Sequence, residues 1–179
     1  MTITGFSLMR MLCKALIVAT LSAATCGTAL AIEPAPGEAQ GPMAKLQGLT
    51  SRASELALQA MSMIGIRYKY GGTAPENGLD CSGLVRYVFR QALGTELPRT
   101  SEEISRVGQT IDTADLQPGD LVFYNTLRRG FSHVGIYLGD NKFIHAPSAG
   151  GQVRIESMNI NYWKSRFNGA RRITQPQSE

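Results

Sequence analysis

Two periods of hydrophobic residues divide this chain. From Ser51 to Ile64, the apolar residues Ala53, Leu56, Ala57, Ala60, Met61 and Ile64 recur at helical spacing, and Gly65 can close the run. Leu84, Val85, Val88, Phe89 and Ala92 repeat the pattern over Cys81 to Leu93, with Gly94 as the stop. Thr100-x-x-Glu103 is a capping box and predicts a short third helix. The period then changes. Gln117-Pro118-Gly119-Asp120 is a turn and Leu121 to Tyr124 a strand. From His133 to Leu138, Val134, Ile136 and Leu138 alternate with His133, Gly135 and Tyr137, the signature of a half-buried strand. Gly139-Asp140-Asn141 is a turn, and Phe143 to Ala146, Val153 to Ile155 and Ala170 to Ile173 read as further strands. Helices followed by a meander of strands predict an α+β fold, with the N-terminal helices packed on a small antiparallel sheet.

The region before residue 51 has a different character. Arg10 and Lys14 form a basic start, Ala15 to Ala24 an apolar run too short to span a bilayer, and Ala29-Leu30-Ala31 a small-residue cleavage site. Residues 1–31 therefore read as a signal peptide, and the chain as exported to the periplasm or the extracellular space, with no stable membrane span after processing. Lipidation at Cys26 is disfavoured, because Thr25 stands where a smaller residue is usual. Pro34, Pro36, Gly37, Gly41, Pro42 and Gly48 mark residues 32–50 as a flexible linker, leaving residues 51–175 as one folded domain. Cleavage would reduce the 18 basic residues to 16, against 14 acidic ones. That balance gives no polyanion-binding signature and argues against nucleic acid as a partner. The pairs Arg128-Arg129 and Arg171-Arg172 read as solvated charges.

The chemistry is concentrated in very few side chains. Of three cysteines, Cys13 and Cys26 lie in the removable segment, so Cys81 is the thiol of the mature chain; the only imidazoles are His133 and His145. A lone cysteine forms no internal disulfide, and an unpaired thiol in an exported protein points to a reactive role. Cys81 stands at the start of the second helix, off its apolar stripe, where free N–H groups favour a thiolate. A cysteine nucleophile needs a base, and that base needs a polar group to orient it; His133 and His145 fit these roles. A metal site is the competing use of Cys and His, but neither C-x-x-C nor H-E-x-x-H spacing is present. The pairing of the histidines carries a geometric condition. A plain two-residue turn at Asp140-Asn141 would put His145 opposite Ile136, on the face away from His133; a three-residue loop or a bulge would bring both to one face.

Several ordered motifs resemble the NlpC-type papain-like cell-wall cysteine peptidases. They are Tyr68-Lys69-Tyr70-Gly71-Gly72, Leu79-Asp80-Cys81-Ser82-Gly83-Leu84-Val85, Leu97-Pro98-Arg99-Thr100-Ser101, Leu116 to Tyr124, His133 to Gly139 and Phe143-Ile144-His145-Ala146. The segment Tyr162-Trp163-Lys164 to Arg172 is most similar to the single-domain murein endopeptidases of the MepS kind. The resemblance implies a papain-like fold and hydrolysis of peptide bonds in peptidoglycan stem peptides or cross-links, without metal or organic cofactor. It implies Cys81 as nucleophile, His133 as general base and His145 as the third polar residue. It places Tyr68 beside the thiol and the oxyanion region, and Asp80 and Ser82 where some members receive a free peptide amine. Arg99 reads as holding the loop before the third helix. Ile104 stands where many members carry a glutamine. The rival readings are a thiol amidase or acyltransferase acting on a non-wall substrate, and a binding module that has lost activity.

Overall fold

The computed structural model describes residues 42–127, 130–149 and 151–174. The expected signal peptide, the first part of the expected linker and the Arg128-Arg129 pair lie outside these residues.

The first helix, α1, spans Pro42–Met61. It begins within the stretch read as linker, so residues 42–50 are helical instead. Proline is well placed at a helix's first position, and Met43 to Gln47 are good helix formers, so Gly48 alone did not end the pattern. The helix also closes earlier than Ile64. Met63 N–H and Ile64 N–H bond the carbonyls of Ala60 and Met61, a tighter turn that rotates Met63 inward and leaves Met61 and Ile64 exposed.

A two-stranded hairpin follows, β1 (Thr73–Ala74) and β2 (Gly78–Leu79), and leads into α2 (Cys81–Leu93). Asp80 caps α2 through its side chain to Gly83 N–H, and Gly94, with φ 63°, closes it in the left-handed conformation. Leu84, Val85, Val88 and Phe89 are buried along one face, each contributing on the order of 2 kcal/mol of transfer free energy. The capping box at Thr100 and Glu103 is present and starts α3 (Ser101–Ile104).

Six strands make the main sheet: β3 (Gln109–Ile111), β4 (Leu121–Tyr124), β5 (His133–Gly139), β6 (Lys142–His145), β7 (Arg154–Ser157) and β8 (Phe167–Arg172). Their spatial order is β3-β8-β4-β5-β6-β7, antiparallel throughout. One-turn helices at Thr113–Asp115 and α4 (Asn161–Lys164) complete the described residues.

Both faces of the sheet are covered, and this decides where the site lies. On one face Leu121, Phe123, Val134, Ile136, Ile144 and Ala146 join Leu56 of α1 and the apolar stripe of α2. On the other, Val122, Tyr124, Tyr137, Phe143 and Ala170 pack with Met158 and Trp163. The alternation read over β5 therefore separates two buried layers, and β4 is buried at every position. His133 has the parity of Tyr137, and His145 that of Phe143.

The β5–β6 hairpin brings those two histidines to one face. Asp140 and Asn141 form a two-residue turn with φ of 50° and 55°, a backbone that Asp and Asn tolerate. The ladder pairs Tyr137 with Phe143 but Gly139 with Lys142, so one extra residue sits in a bulge on β5. That residue shifts the phase of the ladder by one and turns His145 toward His133. A side chain at Gly135 would lie 2.7 Å from Phe143 and 3.2 Å from His145 Cβ, so the glycine leaves room for both rings.

Candidate active site

Cys81 is the first residue of α2 and the free cysteine of the described residues. Its position is fixed from below by Asp80. Oδ1 of Asp80 accepts from Ser82 Oγ, Gly83 N–H and Arg99; Oδ2 accepts from Gly71 N–H and, at 2.6 Å, from Arg99. Arg99 also donates to Ser82 Oγ at 2.8 Å. Burial pushes the Asp80 carboxyl up, but the Arg99 bonds, Gly83 N–H and Ser82 outweigh it and hold the carboxyl below its usual range. Asp80 and Ser82, assigned by resemblance to an incoming amine, are thus already bonded to Arg99. Arg99 holds the α2 cap as well as preceding α3.

Gly83 is required sterically. A Cβ there would lie 2.0 Å from the Gly72 carbonyl oxygen, so the first turn of α2 presses directly on the backbone at Gly72. Tyr68 joins this corner through a parallel bridge to Leu79, and packs partly buried against the helical layer. Burial raises its phenol, with smaller contributions from Cys81, Asp80 and Tyr70.

The Cys81 thiol is deeply set. Burial pushes it up to about 11, with Asp80 adding to the rise, while the N–H groups of Val134, Ser82 and Cys81 itself pull it back. Val134 directly follows His133, so the residue next to the candidate base is the one whose backbone N–H reaches the thiol.

His133 is 7% exposed and His145 fully buried, and their rings meet edge to face with His133 Nε2 2.8 Å from His145 Nδ1. Burial lowers both imidazoles; the neighbouring His145 ring lowers His133 further while Glu156 raises it, and Arg154 lowers His145. Trp163, the sole tryptophan, stacks on His133 at 5.5 Å between centroids and meets His145 edge-on at 4.9 Å. The indole N–H of Trp163 donates to Glu156 Oε2, Arg154 Nε donates to Oε1, and Glu156 Oε2 lies 3.7 Å from His145 Nε2. His145 Nε2 is buried without a hydrogen-bond partner.

Sequence reasoning named Trp163 only within a family-like segment and gave neither it nor Arg154 and Glu156 a place at the site. Asn161–Lys164 is one helical turn with no side-chain cap, and the strand read over Val153 to Ile155 stops one residue short of Glu156, so neither pattern points to these side chains as a site.

The NlpC/P60 family model matches residues 65–172. A γ-DL-glutamyl hydrolase of Bacillus subtilis is 46% identical over 116 residues, covering 64% of this chain and 28% of that protein. A murein DD-endopeptidase and murein LD-carboxypeptidase of Escherichia coli, MepS, is 45% identical over 109 residues, covering 61% of this chain and 56% of that protein. The match therefore spans little more than half of these relatives at most. The crystal structure of an NlpC/P60 family protein from Bacillus cereus superposes with a TM-score of 0.64 at 33% identity, over 69% of this chain and 40% of that one. A helix-borne cysteine, two histidines on one sheet face and a family match across the whole sheet agree: this chain belongs to the NlpC/P60 family and has its papain-like α+β fold.

Proposed function

We propose that this chain is an exported cysteine endopeptidase that hydrolyses peptide bonds of peptidoglycan stem peptides or cross-links. The observation that carries it is the His133 Nε2 to His145 Nδ1 contact of 2.8 Å, on the strand whose next residue sends its N–H to the Cys81 sulfur. Relatives named as a murein endopeptidase and a γ-glutamyl hydrolase support the substrate class. No helix among the described residues is long and apolar enough to cross a membrane. The export reading rests on the N-terminal sequence and on wall-directed relatives.

The chemistry follows from the geometry. His133 Nε2 is engaged by His145, so Nδ1 is the nitrogen left to take the thiol proton. The sulfur then bonds the substrate carbonyl carbon, and the oxyanion is met by backbone N–H groups at the α2 start, with Tyr68 beside them. The C–N bond breaks as His133 returns its proton to the leaving amine. Water, deprotonated by His133, then cleaves the thioester and frees the carboxylate and the thiol. Asp80 and Ser82 anchor the nucleophile's helix through Arg99 in this reading, with their acceptor oxygens already engaged by the guanidinium.

Mass analysis of defined muropeptides tests the reaction class. Hydrolysis predicts two products whose masses sum to the substrate plus one water. A product carrying an added amine or alcohol in place of water would establish acyl transfer instead, and intact peptides would overturn the proposal.

A further inference from the structure

The contact from His133 to His145 does not end at His145. His145 Nδ1 faces His133 Nε2 at 2.8 Å. For His133 to take a proton at Nδ1, its Nε2 must carry hydrogen and donate. His145 Nδ1 then accepts, and the hydrogen of His145 sits on Nε2. That Nε2 is buried without a hydrogen-bond partner, yet Glu156 Oε2 is 3.7 Å away. We infer that Glu156 is a fourth member of the relay, a positioning residue whose carboxylate holds the Nε2–H tautomer of His145 and, through it, that of His133.

The surroundings of Glu156 suit this role. Trp163 from α4 and Arg154 on its own strand each donate to one of its oxygens and fix the carboxylate in place. Oε2, the oxygen that Trp163 holds, is the one facing His145. Trp163 also lies against both imidazole rings, so one side chain sets the carboxylate and the histidines together. The other ionisable groups at this corner are Tyr124 of β4, whose hydroxyl is buried without a partner, His133 of β5 and His145 of β6. Arg154 carries positive charge at this corner, and Glu156 the negative charge that offsets an imidazolium. As His133 gains a proton, the positive charge appears along a line leading to this carboxylate.

The inference rests on the proposed thiol chemistry, so two readouts are needed. The first is nitrogen-15 NMR of the histidine rings in the full chain, which requires no substrate. Protonated Nε2 and unprotonated Nδ1 on His145 are expected; hydrogen on Nδ1 would overturn the inference whatever the enzyme does. The second is the pH profile of stem-peptide hydrolysis for wild type, Glu156→Gln and Glu156→Asp, with Cys81→Ala as the blank. Loss of the carboxylate charge in Glu156→Gln is expected to lower kcat by about tenfold or more with little change in KM. The acidic limb of kcat/KM should move to lower pH, because Glu156 favours protonated His133. Glu156→Asp, which keeps the charge, should recover much of the rate. A wild-type rate and unmoved limb in Glu156→Gln, or equal impairment in Glu156→Asp, would overturn the role of Glu156. Activity surviving in Cys81→Ala would overturn the thiol reading instead.

Discussion

At the scale of single residues, burial opposes the simple view of a helix-activated thiolate. The helix start and three backbone N–H groups favour the anion at Cys81, but desolvation is larger and the thiol is pushed up to about 11. His133 is lowered by burial and by His145. Both shifts favour a neutral thiol and a neutral imidazole at rest, so in the proposed mechanism the proton moves as substrate is attacked. Alkylation of the free chain by iodoacetamide should accelerate toward alkaline pH, with its midpoint above the ordinary thiol value of about 8.5. A rate that is level from about pH 5 to 8 would mean a resting ion pair. Arg99 gives a second prediction. The folded Asp80 carboxyl lies below its unfolded value, so its stabilisation is full above about pH 4 and is lost as pH falls through the folded value. Arg99→Met should lower the melting temperature at pH 7 and approach the wild type in acid. A constant gap across the titration would contradict this. The positions of Cys81 at a helix start and of His133 and His145 at strand ends were legible because those residue types are scarce. The five bonds that saturate Asp80 were not, because Arg99 reaches it from another segment.

Elements set these residues in register. The helices α2 and α3 and the strands β4, β5 and β6 follow from period and capping, within a residue or so of their edges. The bulge between Tyr137 and Gly139 does not, although sequence reasoning could state what it had to accomplish. Turn residues Asp140 and Asn141 favour a two-residue turn, and the facing aromatic layer requires the other phase; the ladder absorbs the conflict as one extra residue on β5. Glu156 and Trp163 sit on elements too short or too exposed for a pattern to declare. The α2 start carries a prediction of its own. In Gly83→Ala the new methyl would lie 2.0 Å from the Gly72 carbonyl, so the helix or the Tyr70–Gly72 turn must move. A loss of about 1–3 kcal/mol in denaturant unfolding is expected, with activity falling further than stability alone explains. Unchanged stability would show that the first turn of α2 can shift freely.

Across the whole molecule, the sheet serves as a wall with two packed sides. One side packs against α1 and against α2, which begins at Cys81; the other holds the aromatic layer, with Trp163 and Phe143 against the histidines. This arrangement places two neutral imidazoles in low-dielectric surroundings and ties stability to pH. Both folded values are lowered by burial, so the stabilisation is present above the unfolded value of about 6.5 and is lost as pH falls toward the folded values. Unfolding free energy should therefore begin to decline near pH 6.5, earlier than carboxylates alone would cause. Replacing both histidines by asparagine should flatten that decline, and an equal slope in the variant would contradict it. Hydrolysis of wall peptides by Cys81 is the proposed activity. It is tested most directly by release of soluble muropeptides from purified sacculi, comparing the wild-type chain with a folded Cys81→Ala variant. Steady release by the wild type and none above background by the variant is the predicted result. Equal release by both, or none by either, would contradict it.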